Sequence, residues 1–96
     1  MKRRVTLSGN KMTSKEALHA YLAKKLALPA YYGKNLDALH DCLCAVSSPL
    51  HITVTYINRL LTQTGAYGDS FLRVLQDASA ENSLLSLSLF SDKRHT

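Results

Sequence analysis

The sequence has no long apolar run, and this shortage bears on where the protein can reside. No stretch of the 96 residues approaches the ~18–20 consecutive apolar residues that a membrane-spanning helix needs. The chain starts with basic residues, but the apolar segment of a signal peptide does not follow them. We therefore predict a cytoplasmic protein with no membrane association.

Cysteines are also few, and their spacing argues against a disulfide framework. Cys42 and Cys44 are separated by one residue, too close for an ordinary stapling bridge and not in C-x-x-C spacing. They are predicted to be reduced thiols in a reducing compartment. No set of His and Cys residues has the spacing of a zinc finger or tetrahedral site, so no metal and no cofactor is expected.

Acidic residues are outnumbered, seven against twelve Lys and Arg, and the imbalance is unevenly distributed along the chain. Residues 1–29 carry seven basic residues and one acid, a net charge of +6. Residues 35–92 carry two arginines and six acids, a net charge of −4. A chain polarised in this way can present a different face to each of two partners.

What is present indicates one domain spanning residues 1–96, since the length is typical of a single domain and the sequence contains no repeat or linker. Short strands are predicted over residues 4–7, 50–54 and 85–89, with helices between them. A capping box of Thr13 and Glu16 is expected to start the first helix. The last helix is expected to start after Gly68, with Asp69 as its cap. Strands that alternate with helices predict an α/β fold, a three-stranded parallel sheet covered by about four helices.

The second predicted helix, residues 36–45, has two chemically distinct sides. Leu36, Leu39 and Leu43 fall within about 60° of arc and predict a buried stripe. Asp37 and Asp41 fall together on the opposite side. Cys44 lies between these two acids and one turn further along, with His40 at the edge of this side.

The two carboxylates can be interpreted in two ways. Asp37, in the first turn, complements the helix dipole, but Asp41 gains little from it and lies an unfavourable i,i+4 step from a like charge. On periodicity alone, an ordinary solvated face is the favoured interpretation. A binding face for a cationic partner is the alternative, and spacing does not decide between the two.

Residues 26–43 read LALPAYYGKNLDALHDCL, and this run closely resembles the central segment of the barstar family. The resemblance persists as element order over nearly the whole chain. It implies a three-stranded parallel sheet with helices packed on it, in agreement with the pattern above. It also implies an intracellular inhibitor, monomeric when free, that catalyses nothing and plugs the active site of a guanyl-preferring ribonuclease of the barnase-like class.

The resemblance also implies roles for individual residues. Asp41 would be the chief mimic of an RNA phosphate, and Asp37 a second acidic contact. Tyr31 matches the family's interface tyrosine, although a half-buried loop aromatic is the alternative interpretation. Asp77 matches an acidic residue of the fourth helix, and its alternative is an intrahelical pair with Arg73.

Three positions of the expected interface depart from the family's pattern. His40 and Val46 each stand where the family has a tryptophan, and Ala45 stands where it has a glycine. With Cys44, these positions complete the predicted binding residues. The departures favour a cognate nuclease different from that of barstar, with no direct nucleic-acid contact by this chain.

Three rival functions have some support in the sequence. Cysteines with His40 and His51 suggest a nucleophilic pair, but His40 and Cys42 point to different sides of the helix, so an enzyme is not expected. The basic residues Lys11, Lys15, Lys24 and Lys25 could contact phosphates, although no recognised nucleic-acid motif accompanies them. A barstar-like fold that binds an unrelated basic protein or toxin remains open.

Overall fold

The computed structural model describes residues 3–91, and its centre is a sheet of three parallel strands. They are β1 (Arg3–Ser8), β2 (Leu50–Thr55) and β3 (Leu85–Leu89), with β2 in the middle. The register places Val5 opposite Ile52, and Ile52 opposite Leu87. The predicted three-stranded parallel sheet is confirmed.

The two faces of the sheet differ in polarity because side chains alternate along each strand. Val5, Ile52 and Leu85 belong to the hydrophobic core on one face. The intervening positions are polar, and some of them line a shallow cleft on the other face. Within that polar face, both ring nitrogens of His51 lie within hydrogen-bond distance of serine hydroxyls of β3, 2.6 Å from Ser86 and 2.9 Å from Ser88.

Four helices accompany the sheet, as the sequence predicted. They are α1 (Lys15–Lys25), α2 (Leu36–Cys44), α3 (Ile57–Thr64) and α4 (Ala66–Glu81), and a 3-10 turn occupies Gly9–Lys11. Phe71 and Leu75 of α4 and Leu18 and Leu22 of α1 are almost completely buried in the same cluster as the strands' apolar residues. Within residues 3–91, no helix combines the length and the apolar character that crossing a bilayer would require.

Two predicted helix starts are wrong. The cap of α1 is Ser14, whose hydroxyl accepts a hydrogen bond from the backbone N–H of Ala17 at 3.1 Å, so the Thr13–Glu16 capping box does not form. Thr13 and Ser14 are both suitable caps, and local sequence did not distinguish them. Helix α4 begins at Ala66, three residues before the expected cap Asp69. Gly68 therefore lies inside α4 and does not precede it. A side chain at this position would collide with the hydroxyl of Thr64 at the end of α3, which explains the glycine.

The end of α1 is a Schellman motif formed without glycine. The N–H of Leu28 bonds to the carbonyl of Ala23, and the N–H of Ala27 to that of Lys24. Ala27 therefore adopts a φ of +52°, a conformation that an L side chain disfavours.

We predict that Ala27→Gly stabilises the protein by about 0.5–1 kcal/mol, because glycine adopts positive φ without this penalty. Urea unfolding would show an increased midpoint with an unchanged m-value. Ala23→Gly, inside the same helix, is the matched control and should destabilise by a similar amount. Equal loss of stability in both variants would contradict this description of the helix end.

Candidate functional site

Helix α2 is held at its start by an asparagine cap. The Asn35 side-chain oxygen accepts a hydrogen bond from the backbone N–H of Ala38 at 2.8 Å. The amide group of the same side chain donates to the carbonyl of Gly33 at 3.2 Å, which ties the preceding loop to the helix. Leu39 and Leu43 are buried in the core and fix the rotation of the helix about its axis.

The opposite side of α2 carries the two carboxylates in an exposed position. Asp37 and Asp41 are both exposed. Within residues 3–91 the ion pairs join His40 to Glu81 and Arg73 to Asp69, so no basic side chain of this part of the chain neutralises either carboxylate. The structure therefore presents two negative charges, one helical turn apart, that lack an ion-pair partner among the described residues 3–91.

A second exposed group precedes this helix. Tyr31, in the loop between α1 and α2, is 87% exposed, so the alternative interpretation of a half-buried aromatic is wrong. The next residue, Tyr32, is 7% exposed and belongs to the core. The loop thus anchors one tyrosine inside and presents the other to solvent.

The anchor of this loop is His19, which the sequence analysis missed. His19 of α1 is 1% exposed, and its Nδ1 lies within hydrogen-bond distance of the Tyr32 hydroxyl. Its Nε2 is in the same relation to the hydroxyl of Tyr67 on α4. One buried imidazole therefore joins α1, the loop and α4. Only the position of His19 next to Leu18 in the helical pattern could have indicated that its side chain is buried. No local pattern indicated its hydrogen-bond partners.

The electrostatics of this cluster keep its groups neutral. Burial lowers the pKa of His19, Lys15 lowers it further, and Glu16 opposes the shift. Burial also raises the pKa of Tyr32 and that of Tyr67. A neutral imidazole has one donor and one acceptor nitrogen, so one tyrosine hydroxyl accepts from the ring while the other donates to it.

We predict that acid weakens the protein through His19. Above the unfolded-state pKa of about 6.5 the ring is neutral in both states, so its contribution to stability is fully present. As the pH falls below that value the unfolded chain takes up the proton first, and stability is lost until the lower folded-state pKa is reached. Urea midpoints measured between about pH 7.5 and 5 should fall more steeply for wild type than for His19→Gln. Identical slopes would contradict the neutral buried ring.

The far end of α2 is capped by another asparagine that sequence reasoning did not identify. The side-chain amide of Asn82, the residue that follows α4, donates to the carbonyls of Leu43 at 3.1 Å and Val46 at 3.0 Å. It therefore ties the end of α4 to the last turn of α2 and to the residue two positions beyond it. Ala45, the C-cap of α2, is exposed, and Val46 is half-buried against the core.

On α4, Asp77 is exposed and the predicted alternative for it is not found. Arg73 pairs instead with Asp69, with 3.4 Å between Nε and Oδ2. Asp77 lies one turn before Glu81, which contacts α2, so it projects from the same side of α4 as Glu81. Glu81 contacts His40 and Cys44 of α2 along the edge that the two helices share.

A cluster of His40, Cys44 and Glu81 forms that edge. The Nε2 of His40 lies 2.9 Å from Oε2 of Glu81, and the Cys44 thiol donates to the same oxygen at 3.3 Å. Burial raises the pKa of the Cys44 thiol, as do the hydrogen bond to Glu81 and the negative charges of Glu81 and Asp41. Cys42 and Cys44 are both half-buried and pack against the core, and Cys42 lies on a different side of α2 from His40, as predicted.

Of the predicted binding residues, the structure therefore groups Asp37, His40, Asp41 and Cys44 on one exposed or half-exposed side of α2. Asp77 belongs to the neighbouring helix that contacts this side. Tyr31 lies on the loop before it, and Ala45 and Val46 follow its last turn. Glu81 and Asn82 complete the arrangement and were not predicted.

Comparisons with known proteins agree with this architecture. The family model described as Barstar (barnase inhibitor) matches residues 2–91. The protein of Bacillus subtilis (strain 168) named "Putative ribonuclease inhibitor YrdF" is 40% identical over 80 residues, which cover 82% of this chain and 88% of that protein. With its parallel sheet, its helices and the matched range of residues, this chain belongs to the barstar family.

Proposed function

We propose that this protein inhibits a guanyl-preferring microbial ribonuclease by inserting the acidic side of α2 into the active site of the enzyme. The observation that carries the proposal is the exposure of Asp37 and Asp41 without a basic partner among residues 3–91. Family membership supports an inhibitory role, as does the name of the Bacillus subtilis relative.

The chemistry of phosphate binding explains how such a surface would work. A ribonuclease holds RNA phosphates with Arg, Lys and His side chains, and carboxylates can replace phosphate oxygens in charge-assisted hydrogen bonds. In this proposal Asp41 occupies the principal phosphate position, and Asp37 and Asp77 add negative charge around it. Neither carboxylate must break an ion pair with a residue of the described range 3–91 before binding, which lowers the free-energy cost of association.

Tyr31 supplies the apolar contact of the proposed interface. Its ring is exposed while its neighbour Tyr32 is anchored by His19, so the ring is presented from a loop whose base is fixed. A tyrosine has few rotatable bonds and a large apolar surface, which suits stacking in a nucleotide pocket. The inhibitor contributes no catalytic group in this mechanism and acts as a monomer in the cytoplasm.

A stoichiometric titration tests the proposal. Increasing amounts of the protein are added to a fixed concentration of a guanyl-preferring ribonuclease, and cleavage of RNA is followed. We expect activity to reach zero at one inhibitor per enzyme. Full activity in the presence of excess protein would contradict the proposal for that class of nuclease.

The residues around Asp41 also suit a second candidate partner, a basic protein or toxin unrelated to these nucleases. The acidic side of α2 is flanked by His40, Ala45 and Val46. At two of these positions, His40 and Val46, the side chain is smaller than the tryptophan of the family's pattern. Affinity capture from the source organism with the pure protein, and with Asp41→Ala as the matched bait, distinguishes the two. A captured nuclease absent from the variant's eluate supports the first candidate, and another basic protein lost in the same way supports the second.

A further inference from the structure

The cluster of His40, Cys44 and Glu81 has the geometry of a metal site. One potential ligand atom from each residue lies within 4.8 Å of the other two. His40 and Cys44 are one turn apart on α2, and Glu81 reaches them from the last turn of α4. The sequence spacing of His and Cys did not predict this site, because the third donor, Glu81, comes from another helix.

The distances between the three donor atoms fit the coordination sphere of a tetrahedral Zn²⁺ ion. Bonds of about 2.0–2.3 Å to nitrogen, oxygen and sulfur place the donors of a tetrahedral Zn²⁺ site about 3.3–3.6 Å apart. The observed separations are 2.9 Å from His40 Nε2 to Glu81 Oε2, 3.3 Å from Cys44 Sγ to that oxygen, and 3.7 Å from Cys44 Sγ to His40 Nε2. Insertion of the ion needs movements of only a few tenths of an ångström.

The donor types select the ion. A thiolate and an imidazole are soft or borderline ligands that favour Zn²⁺ over Mg²⁺ and Ca²⁺, which prefer oxygen. The thiolate and the carboxylate together carry two negative charges, which balance a divalent cation. The Glu81 side chain is 61% exposed and that of His40 is 33% exposed, so an ion could enter from solvent.

We propose that His40, Cys44 and Glu81 form a binding site for Zn²⁺, with three protein ligands and a fourth position open to solvent. As the Zn–S bond forms, the Cys44 thiol releases its proton to solvent, and His40 binds through neutral Nε2. Three ligands from two helices would also fasten the end of α4 to α2.

The position of the site has a consequence that, unlike metal binding itself, rests on the proposed function. Asp41 lies one residue after His40 and three before Cys44, so an ion here adds positive charge beside the principal phosphate mimic. Zn²⁺ is therefore expected to weaken ribonuclease binding by the wild type and to have no such effect on Cys44→Ser.

The test of the site uses the full chain, fully reduced and without any nuclease. Co²⁺ is added as a spectroscopic probe, since thiolate ligation gives an intense charge-transfer absorption in the near ultraviolet. Zn²⁺ is then added to displace it and is also titrated directly by calorimetry. We expect one ion per chain, displacement of Co²⁺ by Zn²⁺, and no displacement by equal Mg²⁺.

Four variants separate this cluster from other donors of the chain. Cys44→Ser should abolish the charge-transfer band, and His40→Gln and Glu81→Gln should each weaken Zn²⁺ binding at least about tenfold. Cys42→Ser is the matched control and should retain both band and affinity. All these side chains lie at or near the surface, and circular dichroism verifies that each variant is folded. Absence of a charge-transfer band in the wild type, or its survival in Cys44→Ser, would overturn the assignment.

Discussion

Asp41→Ala is expected to weaken binding to the target ribonuclease by about 2–5 kcal/mol, or about 30-fold to several-thousand-fold in the dissociation constant. Complexes of this family themselves contribute to the measurements behind that range. The loss is large because the substitution leaves a cationic group of the enzyme desolvated without its partner. Isothermal titration calorimetry measures the affinity. Where wild type binds too tightly for a direct titration, it is titrated into the complex of the ribonuclease with the weaker variant, which it displaces.

The same substitution should leave the fold intact. Asp41 is exposed and pairs with no basic side chain of residues 3–91, and its removal relieves a like-charge contact with Asp37. Its unfolding free energy should therefore change by less than about 0.5 kcal/mol. Asp69→Ala, the same change on an exposed residue two turns from Asp77 along α4, is the control and should retain affinity. Equal affinity of wild type and Asp41→Ala would exclude the role assigned to this carboxylate.

His19→Leu is expected to cause the largest loss of stability among the changes considered, about 2–4 kcal/mol. Leucine fills a similar volume but leaves the hydroxyls of Tyr32 and Tyr67 without their partner. Each buried polar group that loses its hydrogen bond costs about 1–3 kcal/mol, and Tyr67 recovers part of this from solvent because it is only half-buried. Urea unfolding monitored by circular dichroism measures the change.

The tyrosine partner provides the control through a double-mutant cycle. Tyr32→Phe removes one hydroxyl, and in the presence of His19→Leu the same substitution should cost much less, because the hydroxyl has already lost its partner. His19→Leu should also weaken ribonuclease binding, although His19 is buried and cannot contact the enzyme, since the loop carrying Tyr31 loses its anchor. Additive free-energy changes in the cycle would contradict a bond between the two residues.

The features that local sequence determines were predictable. Alternation in residues 85–89 and the β-favouring run from Leu50 indicated strands, and the leucine stripe of residues 36–43 indicated which side of α2 is buried. The same periodicity placed Asp37 and Asp41 together on the exposed side. The Asn35 cap was also predictable, because it depends on contacts within four residues.

Features that depend on contacts between distant segments were not predictable. Glu81 and Asn82 meet Leu43 and Cys44 of α2 from 37 to 39 residues away in the sequence, and His19 meets Tyr67 across 48 residues. No local pattern specifies such distances, because they arise from the packing of one helix on another. The start of α4 at Ala66 was missed for the same reason, since Gly68 is needed for close approach to α3 and does not act as a break.

Competition with a nucleotide tests most directly whether the acidic side of α2 replaces RNA phosphates. A guanosine monophosphate occupies the active site of a guanyl-preferring ribonuclease, and the affinity of the inhibitor is measured at increasing nucleotide concentration. The apparent dissociation constant should rise in proportion to the nucleotide concentration once this exceeds the nucleotide's own dissociation constant. An affinity that stays constant when the active site is saturated with nucleotide would show that the protein binds elsewhere on the enzyme.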